Sequence, residues 1–343
     1  MLNEIIKKIK PSKEERKKIE KEINFIIKKI KNKEIVPIIG GSIAKDTWLK
    51  GIHDIDIFAK FNYNKYKDKS DKLSYILEKR IKNLKLVRLH GSRDYFQVKK
   101  GKYTFEIVPI LDIKKSNEAI NITDVSPLHS EWVNKKGKKL KDEIRLVKAF
   151  AKANLFYGAE THVQGFSGYV LEILTVYYKS FNNLVKNVTK WKNKTVIDIE
   201  KQLKNPLNEL NYSKTLSPLV LVDPVDRNRN AAAVVSREKY NLFIKTCKEF
   251  LKKHSEKFFV KKEIKIPEKS IVVSLGRLKG KKDVIGGKLF SLFKKLEKKL
   301  KLEEYKVIRS GFIFEDKIVF WFKLQKNKLS DYMEVKGPPL KFN

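Results

Sequence analysis

Gly40-Gly41-Ser42-Ile43-Ala44-Lys45-Asp46-Thr47-Trp48-Leu49, followed by His53-Asp54-Ile55-Asp56-Ile57-Phe58, decides how the rest of the chain is read. A short apolar run at 35–39 precedes the glycines, and a second at 55–61 begins just after Asp54 and contains Asp56. The pattern is a strand, a glycine turn, a short helix and a second strand. Asp54 and Asp56 stand two apart on that second strand, so both carboxylates leave the same face while Ile55 and Ile57 take the other. Adjacent carboxylates repel unless a cation lies between them, and oxygen-only ligation suits Mg²⁺. Alternation alone would also give such a polar outer face. The glycines narrow the choice: they let backbone approach a triphosphate, and N–H groups at a helix start attract anions. On this reading Gly41 brings backbone to the phosphates, Ser42 donates a hydroxyl, and Lys45 adds charge.

Working outward, Glu106 stands alone among apolar residues in Phe105-Glu106-Ile107-Val108-Pro109 on a later strand. A charge there is paired, set at a sheet edge, or bound to metal. Apolar runs at 86–89, 95–98 and 105–113 complete a mixed α/β sheet domain. Before them, Ser12 with Glu15 can form a capping box for a helix over 13–31, striped by Ile19, Ile23, Ile26, Ile27 and Ile30. From about Ser126 to Leu251 the pattern turns mainly helical. In 142–153, Ile144, Val147, Phe150 and Ala151 share one face, and Arg145, Lys148 and Lys152 another that can meet an anion. Residues 181–218 are polar and partly loop. Alternation returns at 271–275, with a helix through 290–300 and strands near 305–314 and 318–324. That strand–helix–strand–strand order is a fragment of a ferredoxin-like or RRM-like layer. The fold class is α+β, in three parts: 1–115, 116–256 and 257–343.

The chain has 343 residues, 77 basic against 40 acidic, for a formal charge of +37. Hydrophobic residues at 41% still support real cores, so a disordered basic tail is excluded. The charge fits salt-sensitive binding to nucleic acid. Because it is nearly all lysine, an AT-rich genome or a hot habitat would give the same bias. One cysteine, Cys247, excludes a disulfide scaffold and a thiolate zinc finger; it reads as core. No apolar run approaches a membrane span of about 18 residues. The N-terminal residues lack a signal-peptide core, so the cytoplasm is the expected compartment.

The stretch from Gly40 to Asp56 resembles the nucleotidyltransferase superfamily that contains polymerase beta, poly(A) polymerases and CCA-adding enzymes. Further motifs narrow the resemblance to the archaeal, class I CCA-adding enzymes. They are Glu106-Ile107-Val108-Pro109, Ser126-Pro127-Leu128-His129, Tyr157-Gly158-Ala159-Glu160, Gly165-Phe166-Ser167-Gly168-Tyr169 and Asp223-Pro224-Val225-Asp226-Arg227-Asn228-Arg229-Asn230. The resemblance implies a palm domain, a helical nucleotide-binding domain and a tRNA-binding tail. It implies template-independent addition of C, C and A from CTP and ATP to the tRNA 3′ end, with two Mg²⁺ and release of pyrophosphate. Asp54, Asp56 and Glu106 would hold Mg²⁺, although aspartate is usual at the third position. Ser42 and Lys45 would touch the triphosphate, with arginine the usual residue at 45. His129, Lys148 and Tyr157 would line the nucleotide site, and Arg229 would help read the base. Taken by themselves, a solvated lysine, a loop histidine, a packing tyrosine and a salt-bridged turn would look the same. The partner would be tRNA, held by its 3′ end and acceptor/T arm. The resemblance runs through Met333-Glu334-Val335-Lys336-Gly337-Pro338-Pro339, where family chains usually continue, so a shortened tail is expected. A split enzyme completed by a separate chain, and a homodimer, stay open. So do a CC-only or A-only variant and a poly(A) polymerase-like enzyme.

Overall fold

Ser12 caps the first long helix, its Oγ accepting from the Glu15 N–H at 3.1 Å, and Lys13–Ile30 follows. The reciprocal half of the capping box does not form. The Glu15 carboxylate accepts instead from the Gly51 N–H at 2.8 Å. Ile19, Ile23, Ile26 and Ile30 are buried, which turns the isoleucine stripe onto a sheet. A computed structural model describes residues 1–276, 278, 282–315 and 317–326; the motif at 333–339 lies outside the described residues.

The sheet has five strands: β1 (Ile35–Ile39), β2 (Asp54–Asn62), β3 (Leu86–Leu89), β4 (Tyr95–Lys100) and β5 (Tyr103–Asp112). Their spatial order is β1-β2-β5-β4-β3, with β2 and β5 parallel and every other pair antiparallel. Ile55, Ile57, Ala59 and Phe61 of β2 and Phe105 and Ile107 of β5 pack beneath Lys13–Ile30 and the helix Leu73–Ile81. Period-two alternation therefore puts Asp54, Asp56 and Glu106 on the opposite face.

A second core joins the helices Ser126–Lys136, Lys141–Ala153, Gly168–Tyr178, Phe181–Val188 and Arg237–Lys252. Phe150, Phe156, Phe166, Phe181, Phe243 and Phe250 fill it, and Cys247 is buried among them. The polar stretch after Phe181 is more ordered than its composition suggests. It contains β6 (Thr195–Ile197), which pairs in parallel with β7 (Leu219–Leu221) just beyond its end. The first helix, Leu2–Ile9, places Ile5 in this helical core.

The chain divides into two compact units, Met1–Ala159 with Val163–Lys262, and Glu160–His162 with Glu263–Asn343. Residues 1–115 and 116–256 thus share one unit built on two cores. In the second unit β8 (Ile271–Leu275), the helix Lys282–Leu302, β9 (Val307–Phe314) and β10 (Ile318–Leu324) form an antiparallel sheet ordered β8-β10-β9. Leu289 and Phe293 of the helix cover Ile318, Phe320, Phe322 and Leu324. A split β-α-β followed by a hairpin gives this order. Among the described residues, no helix is long and apolar enough to cross a membrane.

Candidate active site

The turn after β1 rests directly on β2. The Gly40 N–H donates to the Asp56 carbonyl at 2.8 Å, and a Cβ on Gly40 would stand 2.5 Å from the Phe58 ring. Gly41 has φ of +57°, and a Cβ there would stand 1.8 Å from Asp56 Oδ2. Both the backbone conformation and the close approach require glycine. Gly41→Ala is expected to displace the Asp56 carboxylate and cost about 1–3 kcal/mol in backbone strain. Nucleotidyl transfer should fall further than the melting temperature accounts for, and a fully active alanine variant would refute this role for Gly41.

Asp56 and Glu106 are register partners on the parallel strands β2 and β5, so their carboxylates stand side by side. Gln97, the register partner of Glu106 on β4, donates from Nε2 to Glu106 Oε1 at 2.8 Å. Asp54 lies at the exposed start of β2. Burial and then the charge of Glu106 push the Asp56 carboxyl up to about 6, with Asp54 adding to the effect and Lys45 opposing it. Crowded oxygen-only carboxylates, with Asp56 held at raised proton affinity, fit a hard divalent cation. Among the described residues, no three acidic, histidine or cysteine groups converge as a finished metal cage. What exists is the Asp56–Glu106 pair with Asp54 at its rim.

The Asp56 shift has a measurable sign. A carboxyl raised above its unfolded value binds its proton more tightly when folded, so metal-free protein loses stability as pH climbs from about 4 through about 6. Metal-free Asp56→Asn protein is expected to melt above wild type at pH 7.5 and level with it at pH 4. Superimposable melting curves at both pH values would contradict the shift.

Beside this pair lies a buried charge network. Glu172 is fully buried on the Gly168–Tyr178 helix. Its Oε2 accepts from Lys45 Nζ at 2.7 Å, and its Oε1 accepts from Lys148 Nζ and Thr47 Oγ1, each at 2.6 Å. Burial alone would raise the Glu172 carboxyl, but the two ammonium groups hold it well below the usual carboxylate range. The basic face expected on 142–153 is therefore not free for an anion along its length. Residues 45–48 fold over it, and Arg145 is buried with its guanidinium donating to the Asp46 and Trp48 carbonyls. Lys152 is exposed, with Nζ 4.9 Å from the Tyr157 ring centroid. Ser42, Thr47, Lys148, Lys152 and Tyr157 line a cleft of about 110 Å³.

A second cluster centres on Asp223, whose side chain is fully buried. Its Oδ2 accepts from Arg229 Nη1 at 2.7 Å and lies 3.1 Å from His129 Nε2. Its Oδ1 accepts from Tyr169 O–H at 3.0 Å. The His129 and Tyr169 rings are tilted against each other with centroids 4.1 Å apart. Arg229 is the salt-bridged residue of its turn, and its side chain is still one third exposed. Tyr169 also carries Lys45 over its ring at 5.8 Å, linking the two clusters.

The nucleotidyltransferase domain family matches residues 16–124, and the second domain of tRNA nucleotidyltransferase matches 142–260. The CCA-adding enzyme of Nanoarchaeum equitans is 44% identical over 241 residues, covering 68% of this chain and 60% of that protein. The CCA-adding enzyme of Sulfurisphaera tokodaii is 33% identical over 350 residues, covering 98% of this chain and 80% of that one. This chain belongs to the archaeal CCA-adding enzyme family. Its fold is shared more widely. A structure of the Cid1 poly(U) polymerase matches 76% of this chain and 98% of its own, with a TM-score of 0.58 at 14% identity. Escherichia coli CdnC with ATP matches 74% and 91%, with a TM-score of 0.51 at 15% identity.

Within this CCA-adding enzyme fold, the residues singled out from the sequence collect in three neighbouring places. Asp54, Asp56, Glu106 and Gly41 meet at β2 and β5; Ser42, Lys148 and Tyr157 line the cleft; His129 and Arg229 share Asp223. Lys45 joins the cleft to the other two through Glu172, Asp56 and Tyr169. Sequence reasoning missed Glu172, Thr47 and Asp223 as partners. Glu172 was findable, being the sole charged residue in an otherwise apolar helix. That criterion is the one that singled out Glu106.

Proposed function

We propose that this site moves CMP from CTP twice and AMP from ATP once onto the 3′ end of tRNA, without a template and with release of pyrophosphate. The observation that carries the reading is the Asp56–Glu106 pair pressed beneath the Gly40-Gly41-Ser42 turn, with the Lys148 cleft beside it. Asp54, Asp56 and Glu106 would hold Mg²⁺, which when bound supplies charge neutralisation of the phosphates and a lower pKa for the attacking 3′-hydroxyl. Ser42 donates its hydroxyl to the triphosphate, and Lys45, Lys148 and Lys152 supply its countercharge. Gly41 leaves room for backbone approach, and Tyr157 closes the cleft with its ring. Arg229, oriented by Asp223 and backed by His129, presents N–H donors to the Watson–Crick edge of the incoming base together with the phosphates of the RNA. Positioning and charge stabilisation do the work, since phosphoryl chemistry asks little covalent participation of the protein.

The test uses the full chain, Mg²⁺ and tRNA transcripts ending before C, after C and after CC, each given labelled CTP or ATP. Stepwise C, C and A is the expected result. C without A would make it a CC-adding enzyme, A alone on the CC-ended transcript an A-adding one, and repeated A on any RNA a poly(A) polymerase. Binding should be salt-sensitive, because lysine–phosphate contacts release counterions. A tenfold cut in salt is expected to tighten tRNA binding at least about tenfold. Unchanged affinity would remove the lysine surface from the account.

A further inference from the structure

We infer that Glu172 is a positioning residue for the incoming nucleotide, holding Lys45 and Lys148 as a charged pair of fixed spacing against the triphosphate cleft. The inference rests on the triphosphate reading above and adds to it a residue that touches no ligand. Three observations carry it. Glu172 has no solvent exposure, so its charge acts on protein groups alone. Each of its oxygens is committed: Oε2 to Lys45 from the glycine turn, Oε1 to Lys148 from the helical core and to Thr47 between them. Lys148 in turn lines the cleft with Ser42 and Tyr157. One carboxylate therefore fixes the span between a cation carried by the sheet side of the unit and one carried by the helices.

The charge count explains why a carboxylate stands there. Two ammonium groups against one carboxylate leave a net single positive charge, which suits an anion arriving at the cleft mouth. Without Glu172, two buried ammonium groups would face each other with no countercharge, and one would shed its proton. Lys148, buried yet lining the cleft, is where that balance is felt. Burial first of all draws its ammonium down to about 8, with Lys45 and its own-helix neighbour Lys152 pushing the same way and Glu172 opposing. Removing the Glu172 charge lowers it further, so the proton leaves at a lower pH and nucleotide binding weakens from that pH upward.

Glu172→Gln keeps the shape and the Thr47 contact while deleting the charge. The measurement is equilibrium binding of CTP between pH 6 and 9, alongside KM for CTP and for tRNA. The alkaline fall in CTP binding is expected to move at least about one pH unit lower, making binding about fivefold weaker at pH 8 and about tenfold weaker at pH 9. The KM for tRNA should stay within about twofold, because lysine–phosphate contacts elsewhere carry RNA affinity. Glu172→Asp, which restores the charge on a shorter arm, should return the alkaline limb towards wild type. It also serves as the test if the glutamine variant does not fold. A raised CTP dissociation constant with the limb in place is then expected for the aspartate variant. Loss of melting temperature or kcat with CTP binding and its pH profile unchanged would overturn the inference, since a packing role does only that. If wild type binds CTP and the glutamine variant matches it across the pH range, only this inference falls. If wild type binds no CTP at any pH, the triphosphate reading falls and this one with it.

Discussion

Asp54→Ala, Asp56→Ala protein is expected to bind tRNA as wild type does and to incorporate nucleotide slower by a factor on the order of 10³ or more, about 4 kcal/mol of transition-state stabilisation. The reasoning is electrostatic. Both carboxylates leave the same face of β2, and Glu106 is the register partner of Asp56 on β5. Deleting two of the three leaves one carboxylate, held by Gln97, to face the charge of a triphosphate with its cation. The phosphates would then meet lysines but no divalent centre. Tight tRNA binding should survive because neither aspartate is basic and β2 keeps its buried residues Ile55 and Ile57. Since burial first and then its acidic neighbours disfavour the charge on Asp56, the variant should also melt no lower than wild type at neutral pH in metal-free buffer. An enzyme retaining more than about a tenth of wild-type rate would mean that the carboxylates are the polar face of a strand and that the chemistry lies elsewhere.

The fold was legible where local periodicity determines it. Residues 35–39, 86–89, 271–275 and 318–324 are strands to the residue, because each is a short apolar run bounded by turn or polar residues. The long helix after Ser12 was legible for the same reason, its cap and stripe both being local. What escaped is what depends on distant partners. Leu2–Ile9 reads as an unremarkable charged segment, yet Ile5 packs among the helices and Lys10 pairs with Asp142 at 2.8 Å. Nothing within reach of those residues in sequence signals that contact.

The candidate site divides along the same line. Asp54 and Asp56 were placed on one face by strand alternation, a short-range rule, whereas the sequence reading assigned Gly41 to phosphate approach and did not foresee its close approach to Asp56. The basic face of 142–153 misled because helical periodicity assigns a face without saying what covers it. The covering residues, 45–48, lie a hundred positions away, and they bury Arg145 against the carbonyls of Asp46 and Trp48. Arg229 was open between a salt bridge and a ligand contact because the two do not exclude each other. Asp223 accepts from Nη1 of its guanidinium at 2.7 Å, and a third of the side chain is exposed.

The largest loss of stability from a single substitution is expected at Asp124, far from any carboxylate of the site. Its side chain is wholly buried and accepts five hydrogen bonds. Arg93 Nη1 and Nη2 donate at 2.5 and 3.3 Å, and the N–H groups of Leu111, Asn121 and Ile120 at 2.9, 2.9 and 3.3 Å. Arg93 is buried too and donates to the Pro109 carbonyl at 2.9 Å and to Ser70 Oγ at 2.6 Å. The pair thereby clips the far end of β5, the 67–72 turn and the 120–125 segment together. Asp124→Asn leaves the guanidinium buried without countercharge and turns an amide NH₂ towards N–H donors. Breaking one partner of such a pair costs about 3–5 kcal/mol. For a unit of this size that is a fall of about 6–20 °C in melting temperature. Adding Arg93→Met to Asp124→Asn should recover part of the loss, because the stranded charge goes while the unpaired backbone N–H groups remain. At low temperature the single variant should still add nucleotide, since the clip touches neither the cleft nor Asp56. A melting temperature within about 2 °C of wild type, which corresponds to no more than about 1 kcal/mol, would mean that water reaches the guanidinium and that the clip contributes little to folding.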